Sequence, residues 1–166
     1  NVRSSRSNDS HLDTLFVARV PSMGYATFWL ELDGDARAEK EISTEQNFLM
    51  ENEFMSVEFD SQTGYIKSLV DKNTGINLAE ENFLAIPTVI DDHKTDTWAH
   101  KVFKFHDVKG LMELVEIQRV ETGALRSVIR TKHRFNDSYL TQDFILAKGQ
   151  KTLKVECKAM WQEDFT

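Results

Sequence analysis

The sequence predicts an all-β protein built as a large antiparallel sandwich, and three observations support this prediction. Apolar and polar residues alternate with a period of two in most segments, which is typical of half-buried strands. Short sequences rich in glycine and asparagine separate these segments and can join antiparallel neighbours. The best helical candidate, residues 35–47, has no apolar stripe and is interpreted as a loop or a marginal turn of helix. About ten strands in meandering order indicate a sandwich rather than a small barrel.

The first half of the chain contains four predicted strands separated by turns. They cover residues 14–20, 25–32, 53–59 and 65–71. A Pro/Gly turn joins the first two. The last two are each followed by a turn that ends in Thr-Gly, where Gly64 and Gly75 are free to adopt a positive φ.

The second half contains four longer predicted strands joined by connections of hairpin length. They cover residues 111–120, 124–135, 138–147 and 151–161. Within the second of these, one face carries the charged side chains of Arg126, Arg130, Lys132 and Arg134. The other face carries Leu125, Ile129, His133 and Phe135. No aromatic residues are interleaved with the charges, so the charged face is predicted to be solvated rather than to bind nucleic acid.

The alternation also predicts which side chains form the core. The predicted core residues are Phe59, Leu69, Leu153, Val155, Cys157 and Trp161, and Trp29 is expected to be buried as well. Cys157 is interpreted as a small buried hydrophobic residue rather than a catalytic thiol. Because the chain has a single cysteine, an internal disulfide is excluded.

Composition limits the possible functions. The chain of 166 residues has a formal net charge of -7, which argues against a nucleic-acid partner. No apolar run is long enough to span a membrane, so no membrane partner is predicted. Residues 1–13 are polar and are predicted to be a tail or linker, with the β-sandwich domain over residues 14–166. The polar start without an initiator Met indicates a fragment.

Residues 90–107 are rich in aspartate and histidine, and a metal site is the first hypothesis for them. The candidate ligands are Asp91, Asp92, His93, Asp96, His100 and His106. On a strand, His100 and His106 would share a face but lie about 20 Å apart, too far to hold one ion. A loop pair formed by His93 and Asp96 supplies only two of the three or four ligands that zinc needs. No metal site is therefore predicted in this chain.

The second hypothesis for this segment is contact with a sugar substrate. A glycosidase needs two opposed carboxylates, but Asp91 and Asp92 are adjacent and point apart in an extended chain, so no catalytic residue is predicted. Asp96 lies close to Trp98, and a carboxylate beside an aromatic plane is a common way to hold a sugar. The candidates for a substrate cleft are therefore Asp96, Trp98 and His100. Alternatively, Asp96 organises a turn while Trp98 fills the core.

Several motifs resemble those of one enzyme family. The stretches "VPSMGYATFWL", "ENEFMSVEFDSQTGYIKSLVDKNTG", "DTWAH" and the sequence from "GALRSVIRTKHRF" to "KAMWQED" are similar to the C-terminal β-domain of glycoside hydrolase family 38, the α-mannosidases. The resemblance runs from about Leu15 to Asp164, and "DTWAH" resembles the bacterial branch. No Gly-rich phosphate loop and no nucleophile elbow competes with this reading.

The resemblance implies a supersandwich like that of galactose-mutarotase-type domains, incomplete at its C-terminus. It also implies that the domain packs on a catalytic α/β barrel and a helical domain of the same polypeptide. The parent would be a retaining α-mannosidase of mannose metabolism that hydrolyses terminal α-mannosides in glycans with zinc. The family's zinc ligands and nucleophile lie in those other domains, so this chain is expected to be a non-catalytic support domain without a cofactor. A bacterial cytoplasmic location is expected.

Two other functions stay open. One is a free-standing carbohydrate-binding β-sandwich module, although Trp29 and Trp161 lie within strand patterns rather than on loops. The other is a mutarotase-like aldose epimerase, in which His133 would act with Glu113 or Glu116 as acid and base.

Overall fold

A computed structural model describes residues 15–29, 47–79, 82–91, 98, 100 and 107–163. Contacts divide the chain into two units, residues 1–40 and residues 41–166, and each is described by itself. The prediction of an all-β fold is confirmed, because every regular element in the described part is a strand. These strands are β1 (Leu49–Glu51), β2 (Met55–Phe59), β3 (Ile66–Asp71), β4 (Thr88–Ile90), β5 (Val108–Leu111), β6 (Glu113–Thr122), β7 (Arg126–Phe135), β8 (Ser138–Ala147) and β9 (Leu153–Met160).

In the first unit, residues 15–29 form two extended arms around a turn. The amide of Gly24 donates a hydrogen bond to the carbonyl of Pro21, and the rings of Phe16 and Phe28 meet at 5.4 Å. No strand ladder forms within the described part of this unit, so the prediction of paired strands over 14–20 and 25–32 is not met there. Trp29 is 89% exposed, and its predicted burial is wrong.

In the second unit, β1, β2 and β3 form a three-stranded antiparallel sheet in that order. The turns predicted after β2 and β3 are both present and share one geometry. The amide of Gly64 donates to the carbonyl of Asp60 at 2.8 Å, and that of Gly75 donates to Asp71 at 2.7 Å. Both glycines have positive φ angles, 71° and 73°, a region that favours glycine because it has no Cβ.

Strands β6, β7, β8 and β9 form the larger sheet, antiparallel and in sequence order. All four were predicted. The turn between β7 and β8 is tight, with Asn136 at φ 48°. As predicted, the positive side chains of β7 lie on the outer face, where Arg130 pairs with Asp143 across to β8. The inner face of β7 carries the fully buried Ile129 and His133.

The core lies between the three-stranded and four-stranded sheets, as in a sandwich. Buried side chains from both sheets form one cluster: Met50, Val57, Phe59, Ile66, Ile129, Phe144 and Leu146. The rings of Phe59 and Phe144 meet edge-on at 4.9 Å and join β2 to β8. The predicted burial of Phe59 is therefore confirmed, and Leu69 and Leu153 pack partly buried against the cluster.

The predicted burial of the β9 face is wrong beyond Leu153. Val155 is 42% exposed, Trp161 is 44% exposed, and Cys157 is also exposed. These residues do share the inner face, since Val155 is the register partner of the buried Phe144. However, the core cluster includes no described residue of β9 beyond Leu153. Strand β9 is the last strand of its sheet, so its apolar face lies beyond the layer that covers the rest.

The remaining two strands, β4 and β5, form a short antiparallel ribbon. The loop predicted over residues 35–47 and the tail predicted over residues 1–13 fall almost wholly outside the described residues, and the domain boundary at residue 14 stays a prediction. Among the described residues, no helix is long and apolar enough to cross a membrane.

Candidate functional site

The predicted substrate-cleft residues are only partly described. Asp96 lies outside the described residues, whereas Trp98 and His100 are both in turn conformation and both exposed. The indole of Trp98 is 81% exposed, which excludes the alternative that it fills the core of this domain.

The described residues bring together no catalytic constellation that the sequence nominated. His133 and the two glutamates proposed for an epimerase lie on opposite faces of the four-stranded sheet. Leu114 is the register partner of His133, whereas Glu113 and Glu116 pair with the outward-facing Arg134 and Lys132. Across the part of the chain that the structure describes, no group of three or more His, Cys, Asp or Glu side chains could hold a metal ion.

The motif "ENE" has a clear structural role at one end of the sandwich. Asn52 occupies the turn between β1 and β2, where its Oδ1 accepts hydrogen bonds at 2.9 Å from the amides of Phe54 and Met55. Its Nδ2 donates at 2.8 Å to the carbonyls of Ala147 and Gln150 in the β8–β9 connection. A single side chain thus shapes one turn and ties it to the opposite sheet.

The two glutamates of this motif make different contacts. The carboxylate of Glu53 accepts a hydrogen bond at 3.0 Å from the amide of Gly149, and this bond lowers the pKa of Glu53 below its usual value. Glu51 accepts at 3.1 Å from Lys72, whose ammonium also donates at 2.8 Å to the carbonyl of Asn52. Asn52 and Glu53 therefore join the two sheets through hydrogen bonds, whereas Glu51 binds within the three-stranded sheet.

The two Thr-Gly turns of the next motif are built by aspartates. Oδ1 of Asp60 accepts hydrogen bonds from the amides of Gln62 and Thr63 and from the Thr63 hydroxyl at 2.9 Å. The hydroxyl contact lowers the pKa of Asp60 below its usual 3.8. Asp71 shapes the second turn in the same way, with its Oδ1 accepting from Asn73 at 2.8 Å. These carboxylates are used to fix backbone geometry.

Two grooves open at this end of the sandwich. A groove of about 290 Å³ lies between the Glu51–Glu53 turn and the β6–β7 hairpin. Its wall includes Arg126, which binds both carboxylate oxygens of Glu121 at 2.9 Å. A second groove of about 440 Å³ is mainly apolar and includes Phe54, over whose ring Lys151 lies at 5.1 Å. The carboxylates that line the two grooves are Glu51, Glu53 and Asp71, and each accepts a hydrogen bond described above.

Comparison with known proteins identifies the family to which these motifs belong. The family model described as "Glycosyl hydrolases family 38 C-terminal domain" matches residues 50–165 of this chain. The chain belongs to glycosyl hydrolase family 38. The match covers the family's C-terminal domain, as its motifs predicted, and it begins at β1 and extends beyond β9.

One relative of this family-38 domain is a lysosomal alpha-mannosidase from Dictyostelium discoideum. It is 23% identical over 170 residues, which cover 85% of this chain. The same alignment covers only 16% of the relative, so the chain spans a small part of that protein's length. The comparison supports a link to mannosidases, and the bacterial branch is not shown.

Sequence reasoning recognised the family motifs but missed the roles of their residues. Asn52, Glu53 and Asp60 were read only as part of a pattern, although each has a defined hydrogen-bonding role. The local signal for Asp60 was present, because an aspartate followed three residues later by threonine and then glycine is typical of a side-chain-capped turn. The sequence holds no local signal for the role of Asn52, because its partners Ala147 and Gln150 are far away in the sequence.

Proposed function

We propose that this chain is a non-catalytic support domain of a retaining α-mannosidase that hydrolyses terminal α-mannosides in glycans. Its membership in family 38 and its similarity to a lysosomal alpha-mannosidase support the reaction class. The hydrogen bonds of its motif residues support the structural role, because they connect sheets and shape turns. In this proposal the zinc ion, the nucleophile and the acid/base belong to a catalytic barrel and a helical domain elsewhere in the same polypeptide.

We further propose that the loop carrying Asp96, Trp98 and His100 borders the substrate cleft. The observation that carries this proposal is the exposure of Trp98, 81% of whose surface is open to solvent. Burying a tryptophan normally contributes favourably to folding, and a tryptophan exposed on a turn is a common feature of surfaces that bind sugars or neighbouring domains. A hexose presents C–H faces that stack on such a ring.

The kinetic test uses the longer enzyme that contains this domain. Trp98→Ala and His100→Ala should lower kcat/KM for an aryl α-mannoside by about tenfold or more, whereas Trp98→Phe should retain most of it because the aromatic plane remains. Lys67→Ala, which removes an exposed ammonium from β3, is the matched control and should leave the kinetics unchanged. Unchanged kinetics in both alanine variants would show that the loop does not touch the substrate.

A free-standing carbohydrate-binding module remains a second candidate, and one observation favours it. The argument against it was that Trp29 and Trp161 are core residues, but both are exposed in the structure. Titration of the purified 166-residue chain with mannose and mannobiose, followed by tryptophan fluorescence, separates the two functions. Saturable binding that is lost in Trp161→Ala or Trp29→Ala would favour the module, whereas no binding by the chain alone favours the support domain.

A further inference from the structure

His133 lies in the interior of the sandwich, where it connects the four-stranded sheet to the turn between β2 and β3. The side chain is fully buried, and its Nε2 lies 2.9 Å from the carbonyl oxygen of Thr63. Because a carbonyl can only accept, Nε2 must carry the hydrogen and the neutral ring leaves Nδ1 without one. Nδ1 is buried and has no hydrogen-bond partner among the described residues.

The turn packs tightly on the imidazole ring. Tyr65 stacks on it with ring centroids 5.9 Å apart and planes 19° from parallel. Gly64 approaches so closely that an added Cβ would lie 3.2 Å from Nε2 and 3.3 Å from Cε1. On the sheet side, the register partners of His133 are the apolar Leu114 and Leu140. A second proton on this ring would therefore have no acceptor in the closed structure.

No described charged group faces the ring from the elements around it. The turn contributes the titratable residues Asp60 and Tyr65, and Asp60 is already engaged by Thr63. The charged residues that flank His133 in the sheet register belong to the outer face: Glu113, Glu116, Lys132, Arg134 and Asp143. On the inner face, Arg119 lies opposite Ile129, and its guanidinium donates to the carbonyls of Asn47 and Leu49. The carboxylate of Glu163 accepts hydrogen bonds from Asn136 and Ser138.

The connections of the ring to its surroundings differ in strength. Strand β7 is held by an uninterrupted ladder to β8 and by a ladder to β6 that is interrupted by two bulges. The tip of the turn is joined to the ring by one hydrogen bond and one stacked side chain. Placing a charge on the ring requires an acceptor or water at Nδ1. The turn is the element that can move away without breaking a strand ladder.

We propose that His133 is an acid-sensitive latch that holds the Asp60–Tyr65 turn on the sheet while the ring is neutral and releases the turn when the ring is protonated. Burial lowers the pKa of His133 below the ordinary value of 6.5, and the bond to Thr63 offsets part of this effect. A histidine whose pKa is lowered on folding contributes its full stabilisation to the folded state at pH values above its pKa in the unfolded chain. That stabilisation is lost as the pH falls below 6.5 toward the folded value.

Hydrogen exchange of two amides in the full chain tests this proposal with an internal control. The Gly64 amide belongs to the latched turn, and the Gly75 amide makes the same bond in a turn of the same type that has no histidine against it. After correction for intrinsic rates, the opening equilibrium reported by Gly64 should rise by up to about tenfold for each pH unit below 6.5. The opening equilibrium reported by Gly75 should stay constant.

Two variants separate protonation from simple packing. In His133→Gln, the side-chain amide can still donate to Thr63 but does not titrate, so the excess pH response of Gly64 should disappear. In His133→Phe, the turn should open more at every pH, again without an excess pH response. Equal pH responses at Gly64 and Gly75 in the unmodified chain would overturn the proposal, as would an excess response that persists in either variant. The comparison within the unmodified chain stands even if a variant does not fold.

Discussion

The twin turns after β2 and β3 allow backbone strain and steric crowding to be measured separately. Gly64 and Gly75 have φ angles of 71° and 73°, and each donates its amide to the aspartate four residues earlier. Their surroundings differ. A Cβ on Gly64 would lie 2.6 Å from Cδ1 of Leu114, whereas a Cβ on Gly75 would have no heavy atom within 4 Å. Alanine substitution at the two positions therefore differs in crowding alone.

The expected magnitudes follow from this difference. Both substitutions force a side chain into the left-handed region, which costs roughly 1–2 kcal/mol of unfolding free energy. Gly64→Ala also crowds Leu114 and the ring of His133, and overpacking costs about 1–3 kcal/mol more. We expect a loss of about 1–2 kcal/mol for Gly75→Ala and about 2–5 kcal/mol for Gly64→Ala.

Urea denaturation of the 166-residue chain, followed by tryptophan fluorescence, measures both losses. Because the closest atom to the new methyl group belongs to a flexible side chain, Leu114→Ala should relieve part of the crowding. Gly64→Ala should then cost less in the Leu114→Ala background than in the unmodified chain, which a double-mutant cycle detects. Equal losses at the two glycines, or no coupling to Leu114, would refute the described packing of the turn on the sheet.

Three further predictions concern the core, the inter-sheet contacts and the response to acid. Phe144→Ala should cost about 3–5 kcal/mol in denaturant melts because the residue is fully buried. Trp161→Ala should cost clearly less, because Trp161 is 44% exposed, and equal losses would invalidate the assigned core. Arg119→Met should lower the free energy of unfolding by about 1–3 kcal/mol and increase hydrogen exchange in β1, because the guanidinium donates to the carbonyls of Asn47 and Leu49 at the start of this strand. An unchanged stability would contradict those contacts. Asp60→Asn should make the free energy of unfolding depend less on pH in the acid range. The hydroxyl of Thr63 lowers the pKa of Asp60 in the folded protein, so the resulting stabilisation is present above pH 3.8 and is lost as the pH falls through the lowered pKa. An unchanged pH dependence in this range would refute that assignment.

The alternation of apolar residues predicted the long strands well but not which faces are covered. Strand β8 was predicted at its observed bounds, because ten alternating residues between two turns leave little ambiguity. Strands β1 and β4 were missed, since three residues are too few to show a period. Alternation shows which side chains share a face, as for Val155 and Cys157, but a second layer decides whether that face is buried.

The candidate site was less predictable than the fold. The family could be recognised from local motifs, but the role of Asn52 depends on carbonyls 95 and 98 residues away in the sequence. The buried position of His133 could be inferred from its place on the inner face, whereas its hydrogen bond to Thr63 depends on how two sheets pack. Contacts between distant segments arise only when the chain folds.

The most direct test of the central claim is an activity measurement on the purified chain. The account predicts that the 166-residue chain does not hydrolyse an aryl α-mannoside above the rate in buffer, with or without added zinc, because the account assigns the nucleophile and the acid/base to other domains of the polypeptide. It also predicts no stoichiometric zinc in the dialysed protein. Zinc-dependent turnover by the chain alone, abolished by Asp96→Ala, would contradict the assignment of a support domain.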